Sequence, residues 1–473
     1  MRLLAVKMYF HDSNVSYFDG KKLHYLKSER YFNQKHHALR TFDEVELLIK
    51  NVWGISFRDV DQIIFNQLAY NDYPGKNKNV FPIEHHYAHA LSTAMFSELD
   101  VSFVFDGSSG LNAWSVFQGD QLIKNGPIEE VGSIGFGITY LAQCLGIKGH
   151  ALDLAGKLMG YQSYGKVDAE YLKALSRYDI SSVGIYYKDR WLNQNKLFAP
   201  NPELALLDWA ATIHARCGEI ILETFQKYAD VNSRIGYSGG VAQNIVWNTM
   251  LRKHFPNLVI MPHCGDEGLS LGGIELLRRK NKMPRIEPVD FPFSQADEAV
   301  PETRDEILKA MAVMLSLGKT VAWYQGKGEV GPRALGHRSI LLDPRIKNGK
   351  DKINVIKHRE HYRPFGGSVL LEHSKDWFDL NYENPYMLYV AKPKQPLPAI
   401  THVDNTCRIQ TVANGSFHKL LTIFHELTGC PVLLNTSLNK SGKPMVGTVK
   451  EALDEFNQKD IDYLVVGNKI YLS

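Results

Sequence analysis

Through residues 3 to 29 the largely apolar, β-rich segments LLAVKMYF, VSYF and LHYLKSE alternate with the polar turns HDSN and DGKK, which predicts an antiparallel β-meander. The period then changes. Residues 42–52 carry an amphipathic helical pattern, DQIIFNQ reads as a buried strand, and residues 85–96 read as a second helix. VSFVFDGSSG and NAWSVFQ follow as a strand and its return, and residues 203–228 are helical and amphipathic. Strand RIGYS leads into a helix over 241–253, LVIMPHC is a further strand, and a glycine-led helix covers 265–279. Residues 284–301 hold Pro284, Pro288, Pro292 and Pro301 with few helical signals, the pattern of a linker. A second α/β region opens with a helix over 305–317 and ends in the strands YLVVG and IYLS. No tandem repeat or low-complexity tract is visible in the sequence. The expected division is therefore 1–283, linker 284–301, and 302–473.

Three turns in the first region, FDGSSG, YSGGVAQN and HCGDEGLSLGG, set small residues between a strand and either a hairpin or a helix. Such turns let a backbone approach a phosphate, and a following helix N-terminus favours negative charge. Together with the opening HDSN hairpin they match the layout of the actin, sugar-kinase and Hsp70 (ASKHA) superfamily. Asp106 and Gly107, then Gly239, Gly240 and Asn244, then Glu267 are the candidates for a nucleotide.

The second region carries the sharpest departure from an ordinary surface. Between Gln325 and Arg363, ten Lys or Arg stand against four Asp or Glu. A solvated basic helix would space these charges around apolar positions, whereas Gly331, Pro332, Gly336, Pro344, Pro364, Gly366 and Gly367 break the stretch into turns. Turns of this kind let guanidinium forks converge on one anion, and arginine binds phosphate or carboxylate oxygens in pairs.

Composition narrows the setting. With 473 residues, 44% hydrophobic and 22% charged, the chain has the make-up of a globular enzyme. A net charge of +3 is nearly neutral at this size, so a polyanion would have to be met by a local patch. Five scattered cysteines without CxxC spacing suggest free thiols, and the cytoplasm is the expected compartment. No apolar run approaches the roughly 18 residues that span a membrane.

In EHHYAHALS, His85 and His89 lie four residues apart and so share a helix face, the spacing metal sites use, although packing alone produces it too. Asp266 in GDEG supplies a third ligand if the glycine-rich lobes face each other, with His86 as a competitor. Two histidines and a carboxylate suit non-haem Fe(II), Mn or Zn with open positions.

These residues make the chain recognisable. HDS, HHYAHA, DGSSG, GKLMG, SGGVAQN, GDEGLSLGG, GPRALGHRSIL, KHREHYRPF, DNTCRIQTV and PVLLNTSLN occur in order over nearly its whole length. The chain resembles the O-carbamoyltransferases of nodulation, cephamycin and tobramycin biosynthesis. The resemblance implies an α/β architecture: an actin-like N-terminal domain like the tRNA threonylcarbamoyl-transfer protein, and a YrdC-like C-terminal domain. It implies that the C-terminal domain makes carbamoyl-adenylate from carbamoyl phosphate and ATP (with Mg²⁺), and that the N-terminal domain passes the carbamoyl group to a hydroxyl acceptor near a bound metal, usually iron. His85, His89 and Asp266 fall on the metal positions, and Arg333, Arg338, Arg359, Arg363 and Arg408 on the anion-binding motifs.

On this basis Arg338, Arg359 and Arg408 are expected at the carbamoyl and α-phosphate groups, with Lys327, Arg333 and Arg363 supporting them. Asn435 and Ser437 are expected to hold the carbamoyl amide or ribose. The metal or His11 would act on the acceptor, with Asp12 orienting His11 or binding nucleotide through Mg²⁺. Two departures stand out. Lys327 replaces an expected arginine, which keeps the charge and loses the fork. Residues 166–236 form a shorter segment than family members acting on small natural products would have. The resemblance implies a sugar or natural-product hydroxyl as acceptor, and a shorter wall would open the cleft to a larger one, such as a hydroxymethyl pyrimidine in a nucleotide or DNA. A nucleotide- and metal-binding sensor and a threonylcarbamoyl enzyme acting on tRNA are the competing readings, and a homodimer is compatible with the sequence.

Overall fold

A computed structural model of the chain describes residues 1–128, 132–177, 201–286, 290–458 and 460–473. Met1–Ile83 with Glu267–Ser473 form one compact unit, and Glu84–Asp266 form the other.

The first unit opens with the expected meander: β1 (Leu3–Lys7), β2 (Asn14–Phe18) and β3 (Leu23–Lys27), paired antiparallel. Then β4 (Gln62–Asn66) and β5 (Val80–Ile83) add in parallel on the other side of β1, giving the order β3-β2-β1-β4-β5. The helix Phe42–Trp53 that feeds β4 starts on a Thr41–Glu44 capping box and ends on Gly54 in the left-handed region, so both ends are fixed by local sequence.

The second unit repeats this plan. In it β6 (Val101–Ser109), β7 (Asn112–Gln118) and β8 (Gln121–Pro127) form the meander, and β9 (Ile235–Ser238) and β10 (Leu258–Val259) add in parallel beside β6. Its order, β8-β7-β6-β9-β10, is that of the first sheet position for position. This duplicated sheet is the actin-like layout, present in topology although the sequence carries no repeat. Two expected elements are shorter: LVIMPHC contributes only Leu258–Val259, and the helix over 241–253 divides into a 3-10 turn Gly240–Gln243 and a helix Ile245–His254 at Asn244.

The C-terminal part of the first unit is an eight-stranded mixed sheet. Its strands are β11 (Val321–Tyr324), β12 (Arg338–Leu342), β13 (Gly366–Leu370), β14 (Tyr389–Ala391), β15 (Cys407–Val412), β16 (Val432–Ser437), β17 (Tyr463–Val466) and β18 (Lys469–Leu472). The order is β14-β15-β13-β16-β12-β11-β17-β18. Helices Asp305–Ser316 and Gly415–Thr428 cover it, burying Leu308, Met311, Ala312 and Leu315, and Phe417, Leu420, Leu421 and Phe424. Both sets follow the i, i+3, i+4, i+7 stripe that sequence periodicity predicts.

Residues 287–289 and 178–200 lie outside the described residues, so Pro288 and much of the 166–236 segment are not placed. The described part of 284–301 is pinned within its unit. Ala296 N–H donates to the Tyr25 carbonyl at 2.8 Å, the Gln295 side chain accepts from Lys27 N–H at 3.1 Å, and Gln295 and Asp297 are buried. All five cysteines are free thiols. Among the described residues no helix is long and apolar enough to cross a membrane.

Candidate functional site

The anion-binding candidates of the C-terminal sheet are ordered by strand register. Arg408 on β15 pairs with Gly366 on β13, which pairs with Asn435 on β16. One pleat further, Gln410 pairs with Ser368. Because side chains two apart share a face, Arg408, Gln410, Ser368 and Asn435 lie on one polar face. Gly366 leaves that face open: a Cβ there would stand 3.2 Å from Arg408 Nε and 3.1 Å from Met387 Sδ.

The glycine-rich loop is tied over this face. Asn435 Nδ2 donates to the Ala334 carbonyl at 3.2 Å and Gln410 Nε2 to the Leu335 carbonyl at 2.8 Å, which fixes the stretch next to Arg333. Buried Glu329 receives the N–H groups of Leu335, His337 and Arg338 at 2.8, 2.9 and 3.1 Å, and His337 stacks on Phe293 with centroids 3.6 Å apart. Arg359 and Arg363 come from the turn after helix Gly349–Lys357. Burial, and then the charges of Arg333, Arg359 and Arg363, press the pKa of Arg408 well below the usual guanidinium range. Among the described residues Arg408 has no ion pair, and its buried Nε has no hydrogen-bond partner. Four guanidiniums gathered without neutralisation of the central one is the electrostatic signature of a site built for an anion.

Arg338 is not part of this cluster, contrary to the sequence expectation. Its guanidinium is fully buried, donates to the carbonyls of Gln325, His337, Glu298 and Gly326, pairs with Asp297 at 3.1 Å and lies 3.6 Å above the Tyr324 ring. Its Nη1 and Nη2 groups are used in holding the loop, while its buried Nε, like that of Arg408, has no hydrogen-bond partner among the described residues. Arg338→Met should therefore cost about 3–5 kcal/mol by leaving Asp297 buried without its partner. Thermal denaturation should show a large fall in Tm, and the folded fraction should keep its KM for carbamoyl phosphate. Lys327 is exposed, with its carbonyl against His337 Nδ1. Ser437 Oγ donates to Asn439 Oδ1 at 2.6 Å, and Lys357, which sequence reasoning missed, braces the same turn by donating to the Asn439 carbonyl at 2.9 Å.

In the unit Glu84–Asp266, Glu84 caps the helix His85–Ala94 by accepting from Tyr87 N–H at 2.7 Å, which orients both histidines. His85 Nε2 lies 2.9 Å from Asp106 Oδ2 and 3.5 Å from Asp266 Oδ1, and His89 Nε2 lies 3.5 Å from both carboxylates. One ligand atom from each of the four falls within 4.8 Å of the others. Neither ring nitrogen of fully buried His89 completes a hydrogen bond among the described residues. Burial alone would lower His89, but Asp106 and Asp266 raise it to about 9, and the imidazoles hold Asp106 well below the carboxylate range despite its burial. These residues fit a bound divalent cation: two imidazoles and two carboxylates with an orphaned buried nitrogen suit Fe(II), Mn or Zn. His86 is engaged elsewhere, on Ser115 Oγ at 2.7 Å.

Asp106, expected at the nucleotide, thus stands among the metal candidates, and its other oxygen accepts from Gly240 N–H at 3.0 Å. That approach needs glycine at 239, where φ is +93° and a Cβ would meet the Phe105 carbonyl at 2.1 Å. A Cβ on Gly107 would lie 3.1 Å from the Phe136 ring. Asn244 caps the next helix, accepting from Val246 and Trp247 N–H.

In the other unit, His11 Nδ1 lies 2.9 Å from Asp12 Oδ2, as expected of an orienting carboxylate. Sequence reasoning missed what surrounds this pair: Lys27, fully screened from water, 3.1 Å from both Asp12 and Glu29, and His36, 3.1 Å from Asp12. Asp12, Glu29 and His36 also have the spacing of metal ligands, but the Lys27 ammonium already bridges the two carboxylates. Glu267 contributes to the field that raises Lys27 and accepts the Tyr25 hydroxyl through its carbonyl at 2.7 Å.

The family described as Carbamoyltransferase N-terminus matches residues 2–76 and 73–274, and Carbamoyltransferase C-terminus matches 312–472. The nodulation protein NolO of Bradyrhizobium diazoefficiens is 31% identical over 81% of this chain and 78% of its own. The 3'-hydroxymethylcephem-O-carbamoyltransferase of Streptomyces clavuligerus is 30% identical over 68% of this chain, which spans 65% of that relative. An uncharacterised Synechocystis protein aligns at 29% identity over 592 positions, covering 98% of this chain and 96% of its own, so it carries insertions this chain lacks. Among solved structures, HypF of T. kodakarensis superposes with a TM-score of 0.41 at 15% identity, over 60% of this chain and 48% of that one.

Proposed function

The chain belongs to the carbamoyltransferase family, and we propose that it cleaves carbamoyl phosphate with water to carbamate and orthophosphate, joins the carbamate to the α-phosphate of ATP as carbamoyl-adenylate with loss of pyrophosphate, and then transfers the carbamoyl group to a primary hydroxyl. Residues 302–473 are assigned to the first step and residues 1–283 to the second. The observation that carries the reading is the gathering of Arg333, Arg359 and Arg363 around Arg408 over a polar sheet face.

Adenylation brings the anionic oxygens of carbamate and ATP together, so it needs positive charge fixed in place before they arrive. Arg408 on β15, Arg359 and Arg363 supply that charge together with Arg333, which lies on a loop held rigid by Glu329 and Arg338. Asn435 and Gln410, both bound to loop carbonyls, orient the floor on which the carbamoyl amide rests. In the transfer step the acceptor oxygen attacks the carbamoyl carbon and AMP departs, while a base takes the hydroxyl proton. A divalent ion at His85, His89, Asp106 and Asp266 would supply Lewis acidity. His11, held by Asp12, would take the proton. A hydroxymethyl acceptor is favoured by the likeness to the 3'-hydroxymethylcephem-O-carbamoyltransferase.

The test is ATP turnover to AMP and pyrophosphate with carbamoyl phosphate, with and without hydroxymethyl acceptors that include 5-hydroxymethylcytosine as nucleotide and as DNA. Mass spectrometry then reads the gain of one carbamoyl group. Carbamoyl-dependent AMP and a carbamoylated acceptor are expected. AMP formation that depends on threonine and bicarbonate would overturn the reading in favour of threonylcarbamoyl chemistry, and none at all would leave a sensor.

A further inference from the structure

The turn carrying His11 is backbone-strained in a way its sequence does not require. Tyr9, Phe10 and Asp12 have φ of +66°, +57° and +51°, a region bulky L-residues avoid at a cost of about 1–3 kcal/mol each. The strain is held from several sides: Tyr9 N–H donates to the Leu39 carbonyl and Ser13 N–H to the His37 carbonyl, both at 3.0 Å, while Lys7 Nζ donates to the carbonyls of Tyr9 and His11. What the turn achieves is to bring Asp12 into a buried cluster while His11 keeps about a third of its side chain exposed, at 34%.

An ionised carboxylate only accepts hydrogen bonds, so both imidazoles that reach Asp12 through Nδ1 must carry their proton there. His11 does so at 2.9 Å and His36 at 3.1 Å. This leaves Nε2 as the basic nitrogen of a neutral His11. The condition fails if Asp12 is protonated, and a buried carboxylate close to Glu29 would favour protonation. Lys27 removes that tendency by standing 3.1 Å from each, and His36 N–H donates to Glu29 Oε2 at 3.1 Å.

We propose that Lys27, with His36 and Glu29, is the positioning group for transfer, holding Asp12 as the acceptor for His11 Nδ1–H so that His11 Nε2 takes the proton of the acceptor hydroxyl. This rests on the transfer reading above. As the acceptor oxygen bonds to the carbamoyl carbon, the carbon–oxygen bond to AMP breaks, AMP leaves with the electron pair, and the proton passes from Nε2 to water. The groups facing Asp12 are His11 from its own turn, Lys27 from the end of β3, Glu29 from helix Ser28–Phe32 and His36 from the loop beyond. Tyr25 and Glu267 face Lys27, and Lys7 reaches the His11 carbonyl. Asp12 is held well below, and Lys27 well above, their usual ranges.

Two variants test this with opposite signs. Lys27→Met removes a positive charge, so Asp12 and His11 hold protons more readily. The acid limb of kcat for transfer from preformed carbamoyl-adenylate should move to higher pH and kcat at neutral pH should fall about 100-fold, with KM little changed. Glu29→Gln removes a negative charge and keeps the shape, so the same limb should move to lower pH. Single-turnover pyrophosphate release with carbamoyl phosphate, which reads adenylate formation alone, should be unchanged in both. Nitrogen-15 imidazole NMR of the whole chain should show His11 as the Nδ1–H tautomer, which requires no acceptor. Limbs that move together or not at all, or an Nε2–H tautomer in the wild-type chain, would overturn the proposal. Absence of transfer to any acceptor with the Nδ1–H tautomer intact would instead count against the functional reading alone.

Discussion

Arg408→Met is expected to abolish carbamoyl-dependent AMP formation while leaving the fold at least as stable as before. The two halves of this expectation share one cause. With no ion pair among the described residues, and with burial and the charges of Arg333, Arg359 and Arg363 acting on it, Arg408 is a net electrostatic burden on the chain alone. Methionine fills similar volume and removes that burden, so Tm should hold or rise, the usual trade between a strained site and stability. Removing a preorganised cation from a water-poor site typically costs about 10²–10³-fold in rate. The complement is anion-dependent stability. Phosphate at 100 times its Kd should stabilise the wild-type chain by about 2.7 kcal/mol, and the variant should show little of this. Thermal denaturation with and without phosphate, beside the AMP assay, reads both. A fall in Tm like that expected for Arg338→Met, or AMP formation within about tenfold of wild type, would place Arg408 with the structural arginines.

The contrast between Arg408 and Arg338 marks where sequence stops being informative. Both sit in basic motifs broken by glycine and proline, and charge, spacing and turn chemistry are the same kind of signal for each. They differ in whether carbonyls and a carboxylate come to meet the guanidinium, which depends on Gln325, Glu298 and Asp297 arriving from other strands and loops. The segment holding Asp297 read as linker, because prolines and mixed charge say nothing of a long-range ion pair. Gln410 was more accessible: in CRIQTV it alternates with Ile409, and strand periodicity alone puts it on the face of Arg408. The first meander was legible from its β-rich segments and turns, and of the second the strand and its return, but not β8. The repetition of one sheet order in two units was not, since topology constrains hydrogen-bonded neighbours and leaves side chains free to diverge. Lys27 closes an alternating strand, LHYLK, where a lysine ordinarily reads as the solvated end. Only the fold brings Asp12 and Glu29 to it.

Asp106→Asn should separate the two reactions from the other side, with metal content and transfer lost and adenylation retained. The Asp106 carboxylate receives His85 on one oxygen and Gly240 N–H on the other, with His89 3.5 Å away, so nearly all its acceptor capacity points at the candidate metal centre and the turn that frames it. An asparagine can still accept from Gly240 and keep the turn in place, but it brings neither the charge nor the basicity that draws a divalent ion to two imidazoles. Metal analysis of purified protein should find about one ion per wild-type chain and little in the variant. Transfer from preformed carbamoyl-adenylate should fall at least about 100-fold, whereas single-turnover pyrophosphate release with carbamoyl phosphate should stay near wild type, because the arginine cluster lies on other strands. If Asp106 serves the nucleotide instead, the metal should stay bound through His85, His89 and Asp266, and the KM for carbamoyl-adenylate should rise. The distinction matters for the mechanism. On the proposed reading, a carboxylate shared by two imidazoles would make transfer depend on a bound cation, while the dyad of His11 and Asp12 would depend on Lys27, a cation the chain supplies itself.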